Sequence, residues 1–115
     1  MREILFRGKR KDTEAWVFGD LVHSQYKLGD TCVGQYGNTV GIHQVNPETV
    51  GQFTGLTDKN GKKIFEGDCI NHPYNVVEFI DGSFCVAGDR PLWVMAKHGE
   101  VIGNIHDNPE LLEGA

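Results

Sequence analysis

Apolar residues come in short runs, cut repeatedly by glycine, asparagine and aspartate. Runs of this length bounded by turn residues predict strands, not helices. Glu3 to Arg7 reads as a first strand, and Gly8 to Thr13 as a charged turn holding Lys9, Arg10, Lys11 and Asp12. Trp16 to Phe18 and Leu21 to His23 read as strand material broken at Gly19-Asp20, and Leu28-Gly29-Asp30 as another turn. Thr31 to Tyr36 and Thr39 to Val45 predict a hairpin around Gly37-Asn38, residues that tolerate positive φ. Asn46-Pro47-Glu48-Thr49 predicts one capped helical turn, cut short by Gly51.

Beyond it, Gln52 to Thr54 and Lys62 to Phe65 flank the turn Asp58-Lys59-Asn60-Gly61, and Glu66-Gly67-Asp68 leads into Cys69 to His72. The clearest hairpin is Asn75 to Ala87. A two-residue Asp81-Gly82 turn sets Phe79 opposite Phe84 and Val77 opposite Val86. That side is wholly apolar, which predicts that it faces the core, with Glu78, Ile80, Ser83 and Cys85 on the other side. Leu92 to Ala96 and Val101 to Ile105 read as the last strands, and Asp107 to Leu112 as a closing helical turn. Many short strands at this spacing fit a small barrel or sandwich. Bends at glycine favour a barrel, since closure removes exposed sheet edges.

Composition agrees. Ala occurs 4 times against 24 for Val, Ile and Thr together, and Gly 15 times, which favours strands and tight turns. The 115 residues suit one domain. The net charge of −5 lacks the basic field that duplex nucleic acid attracts, without excluding a local basic patch. Cys32, Cys69 and Cys85 are an odd number with no CxxC pair, which points to reduced, half-buried thiols. No apolar run reaches the ~20 residues of a membrane helix, and Met1 to Arg7 is too short and charged for a signal peptide. The expectation is a soluble intracellular protein with no membrane partner.

Catalytic chemistry finds little purchase. Asp58-x-Asn60-Gly61 is not a calcium loop: with Gly61 at its sixth position, Leu56 and Gly67 fall where carboxylates are required. Ser24 and Ser83 lie outside any nucleophile-elbow motif. Cys69 and His72 fall on opposite strand faces. His23, His43, His72, His98 and His106 lack metal-ligand spacing. No enzyme, cofactor or metal is expected. The cluster Arg7, Lys9, Arg10 and Lys11, with Lys62 and Lys63, is the one candidate nucleic-acid contact, with Trp16, Tyr36 and Trp93 available to stack on bases. A solvated turn, compensated by Asp12 and Glu14, is the plainer alternative. The acidic tail residues Glu100, Asp107, Glu110 and Glu113 oppose this basic front, a charge asymmetry that allows self-association.

From Thr49 to Asp68 (TVGQFTGLTDKNGKKIFEGD) the chain resembles the YopX family of bacteriophages, prophages and mobile elements. The resemblance extends to Arg2–Phe6, Trp16–Leu21, Asn46–Thr49 and the closing Val101–Leu112. It implies an all-β fold with an SH3-like barrel in the carboxyl-terminal half and a life in the bacterial cytoplasm. It brings no catalytic residues. The expected architecture is a single domain over residues 1–115. A glycine-rich strand-and-turn half (1–50) packs on an SH3-like β-barrel half (51–115). The expected barrel core is Phe53, Ile64, Phe65, Ile70, Val77, Phe79, Phe84, Val86, Trp93, Val101 and Ile105. The expected function is non-catalytic: an accessory protein that binds a host or phage macromolecule through loops or strand edges, with nucleic-acid binding through Arg7 to Lys11 as the alternative.

Overall fold

A computed structural model describes residues 3–23, 31–34, 42–88 and 90–108 of the chain. It is all-β with one five-residue helix, and it divides into two compact units, Met1–Gln52 and Phe53–Ala115.

In the first unit, β1 (Phe6–Lys9), β2 (Trp16–His23), β3 (Thr31–Gly34) and β4 (Ile42–Gln44) form an antiparallel ladder in chain order. The first strand starts at Phe6, later than expected. The break expected at Gly19-Asp20 is absent, and β2 runs straight through. Gly19 allows this, because the Gly34 carbonyl oxygen lies 2.6 Å from where a Cβ would stand. The β3–β4 hairpin pairs Cys32 with Gln44 and Gly34 with Ile42. The Gly37-Asn38 turn itself, like Leu28-Gly29-Asp30, lies outside the described residues. The end of β4 returns to the end of β1: Arg10 bridges Val45, and the Asn46 N–H donates to Lys9 O at 2.9 Å. This curl buries Val33 and Val45 completely. A Cβ on Gly8 would stand 3.0 Å from Val45, so only glycine admits the valine at its ordinary distance. The turn at Pro47–Thr49 forms as a 3₁₀ turn, with Asn46 Oδ1 accepting from the Glu48 N–H at 3.1 Å. β5 (Gly51–Thr57) begins here, where Gly51 pairs with Arg7 and Gln52 with Phe6.

In the second unit the rest of β5 pairs with β6 (Lys63–Phe65). β7 (Asp68–Ile70) pairs with β11 (Val101–Asn104), which bulges at Ile102. β8 (Val77–Ile80), β9 (Ser83–Val86) and β10 (Arg90–Pro91) make a three-stranded sheet, and a single Cys69–Val76 bridge links β7 to β8. Among the described residues these ladders do not close into a barrel. Their core is Ile64, Ile70, Val77, Val86, Leu92, Ala96 and Val101.

Three expectations need correction. Leu92–Ala96 is a helix, α1, not a strand. All five residues are apolar, so no period separates the two structures in sequence. The helix buries Leu92 and Ala96, four residues apart, and leaves Trp93 67% exposed, so Trp93 is not core. The β8–β9 register is as expected, Val77 opposite Val86 and Phe79 opposite Phe84. Val77 and Val86 are buried, yet Phe79 is 56% exposed and Glu78 is exposed too. The core covers only the base of this hairpin, and the Phe79 ring rests edge-on against half-buried Phe84, 5.0 Å away. Ile105 is half-buried. The predicted closing helical turn is described only through Asn108, and residues 109–112 lie outside the described residues.

Candidate functional site

The basic segment lies on β1 and the turn that follows it. β1 sets Arg7 and Lys9 on one face, and pairing of Lys9 with Trp16 puts the indole on that face too. The Arg7 guanidinium carbon lies 4.6 Å from the Trp16 ring centroid and the Lys9 Nζ 5.5 Å. Arg7 is buried. Cations over an indole face are attracted by its quadrupole, but an indole so covered cannot offer that face to a base. Arg10 is held by Asp12 in a two-point contact of 2.8 and 2.6 Å, which draws the Asp12 carboxyl below its ordinary range and raises the guanidinium. Lys11 is exposed. Arg10, Lys11, Asp12, Ile42, His43 and Gln44 line an open groove of about 250 Å³. Lys62 and Lys63 belong to the other unit, and the Lys63 Nζ lies 5.3 Å over the Phe53 ring. The segment is therefore largely spent on its own sheet and turn.

Three polar side chains of the signature between Thr49 and Asp68 turn inward, Thr49, Asp58 and Asp68, while Lys59 to Lys63 are exposed. Asp58 Oδ1 accepts from the Asn60 and Lys62 N–H groups, both at 2.9 Å, and Oδ2 accepts from the Val101 N–H at 3.0 Å. Those main-chain donors hold its carboxyl below the ordinary range, the Val101 bond most of all. Asp68 Oδ2 accepts from the Phe65 N–H at 2.8 Å. Thr49 Oγ1 accepts from the Lys9 N–H and donates to Asn46 O. Outside the block, Asn104 Oδ1 accepts from the His106 and Asp107 N–H groups. These side chains cap turns and fix the local backbone.

Cys69 is fully buried, and burial, then the Asp68 charge, pushes its thiol up. A thiol so placed is a poor nucleophile. His72 stacks on Tyr74 at 4.6 Å, and its Nδ1 accepts from the Tyr74 N–H. Among the described residues no three histidine, cysteine or carboxylate side chains are grouped to hold a metal ion.

What remains is surface, and sequence reasoning misplaced it. Phe79 and Trp93, both expected in the core, and Tyr74 are more than half exposed in the second unit, with Val94 beside Trp93. The only sequence signal was the solvent-facing Glu78 and Asp81 around Phe79, which marks a hairpin end reaching beyond the core.

A small all-β protein with capped turns and outward-facing aromatics is the class these observations define. The YopX family profile, described as "YopX protein", matches residues 5–113, and the chain belongs to that family. No curated protein matches it. Among solved structures it is similar to the crystal structure of protein EF1440 from Enterococcus faecalis, with a TM-score of 0.65 and 23% identity. That likeness covers 97% of this chain and 99% of the other, and it shows the fold. Among the described residues no helix is long and apolar enough to cross a membrane.

Proposed function

We propose that this chain is a non-catalytic accessory protein of a bacteriophage, prophage or mobile element, and that it binds another protein through the second unit. One observation carries the reading: Phe79 is 56% and Trp93 67% exposed. Burying a large apolar side chain is worth about 1.5–3 kcal/mol, so aromatic rings left in water are a store of binding energy. YopX membership supports the mobile-element setting and, with it, action in the bacterial cytoplasm. We read the second unit as an SH3-like barrel with open seams, a scaffold that presents loops and strand edges.

Nucleic-acid binding ranks below this, because Arg7 and Lys9 lie over Trp16 and Arg10 is held by Asp12. The deciding experiment places a photo-crosslinking residue at position 79, 93 or, as a control, 59 of the full chain in bacterial cells. The expected result is a discrete protein adduct at 79 and 93, resistant to nuclease and absent at 59. Adducts that vanish with nuclease, or equal yield at all three positions, would overturn the proposal.

A further inference from the structure

The three-stranded sheet has two edges of different character. On one side β10 is only two residues long, and it contains Pro91, which has no N–H to give. On the other side lies β8. The two-residue turn at Asp81 (φ 51°) and Gly82 (φ 85°) makes Ile80 and Ser83 the closing, hydrogen-bonded pair. Alternation along an antiparallel ladder then turns the main-chain groups of Phe79 and Val77 outward. Val77 confirms the parity, since its carbonyl accepts from the Gly67 N–H at 2.9 Å. The neighbouring chain at that bond is the Glu66–Gly67 turn, β8 ends its sheet, and among the described residues nothing bonds the outward N–H and C=O of Phe79.

The same residue carries the exposed ring. Glu78, on the opposite face, is exposed and forms no ion pair among the described residues, and Asp81 is exposed at the tip. From Ile64 to Asp89 the sequence holds five carboxylates and no lysine or arginine.

We propose that the outer edge of β8 takes an extended segment of a partner protein as an added strand, with Phe79 exchanging two main-chain hydrogen bonds with it. The occupant's alternation follows from the face assignment. Its residue opposite Phe79 is apolar and lies along the Phe79 and Phe84 rings. The residues flanking it lie on the Glu78 face and are basic. Main-chain pairing supplies attachment and the alternating side chains supply choice, while charge disfavours acidic partners. The inference rests on the protein-binding reading and names the partner's chemistry.

The test titrates the ¹⁵N-labelled full chain with a blocked peptide, Lys-Val-Lys-Val-Lys. Two controls accompany it: the Glu-Val-Glu-Val-Glu analogue, and the lysine peptide methylated on both valine nitrogens. The expected result is a shifted Phe79 amide with slowed hydrogen exchange. Binding should be weaker by at least about tenfold for both controls and for Phe79→Ala. The Glu78→Lys chain should prefer the acidic peptide. A Phe79 amide indifferent to every peptide, or equal binding by the methylated one, would overturn strand addition. So would protection of that amide by rising protein concentration alone, since a second copy would then be the occupant. Photo-adducts persisting at 79 and 93 while the Phe79 amide ignores the peptide would leave the protein-binding reading standing and remove this one.

Discussion

Asp58 is the residue of the long sequence signature whose role in the turn is clearest. Its carboxylate ends three otherwise unpaired N–H groups, two in its own turn and one at the start of β11. Asp58→Ala strands those donors, and urea unfolding at neutral pH should show a loss of about 2 kcal/mol. The folded-state pKa is depressed, so this contribution is fully present above the ordinary aspartate range and is lost as pH falls below that range and through the depressed folded value. The gap between wild type and Asp58→Asn should therefore narrow on acidification. Ala87 is the opposite case, a side chain without a reason in its turn. It holds a left-handed φ of 56°, a conformation glycine adopts freely. Ala87→Gly should leave stability unchanged or raise it by roughly 0.5 kcal/mol, read as a small rise in melting temperature. Cysteine reactivity follows burial: under native conditions a thiol reagent should modify Cys32 and Cys85 well before Cys69, and equal rates at all three would show that the core opens readily.

At the level of elements, turns were legible and faces less so. Asp58-Lys59-Asn60-Gly61, Asp81-Gly82 and Asn46-Pro47 declare themselves by residues whose local chemistry is the turn itself. The Phe79–Phe84 register followed from one of them. The helix at Leu92–Ala96 did not declare itself, because its start follows Pro91 and its packing needs Leu92 and Ala96 in one core. Its exit is tightly built: a Cβ on Gly99 would stand 2.5 Å from Ile70 Cγ2 and 2.8 Å from Met95 O. Gly99→Ala must displace the helix end or β7. It should cost about 1–3 kcal/mol, measurable as an earlier urea midpoint.

On the scale of the whole molecule, the exposed rings set the testable contrast between folding and binding. Phe79→Ser and Trp93→Ser remove surface that the core does not use, so thermal unfolding should move little while photo-capture through neighbouring positions falls. A large drop in melting temperature for both would mean that the rings serve stability. The basic segment teaches the converse. A row of four cations in sequence reads as a contact surface, yet alternation and pairing put two of them over Trp16 and a turn ties a third to Asp12.

The amino-acid sequence alone determined that the chain is all-β, where its main turns fall, how the Asp81-Gly82 hairpin is registered and to which family it belongs. Each of these is decided by neighbours a few residues apart, or by a pattern long enough to recognise. Only the tertiary structure decided how far the core reaches along each strand, which left Phe79 and Trp93 outside it and Leu92 and Ala96 within. Burial depends on what distant segments bring to a position, and an apolar run looks the same whether another segment covers it or water does.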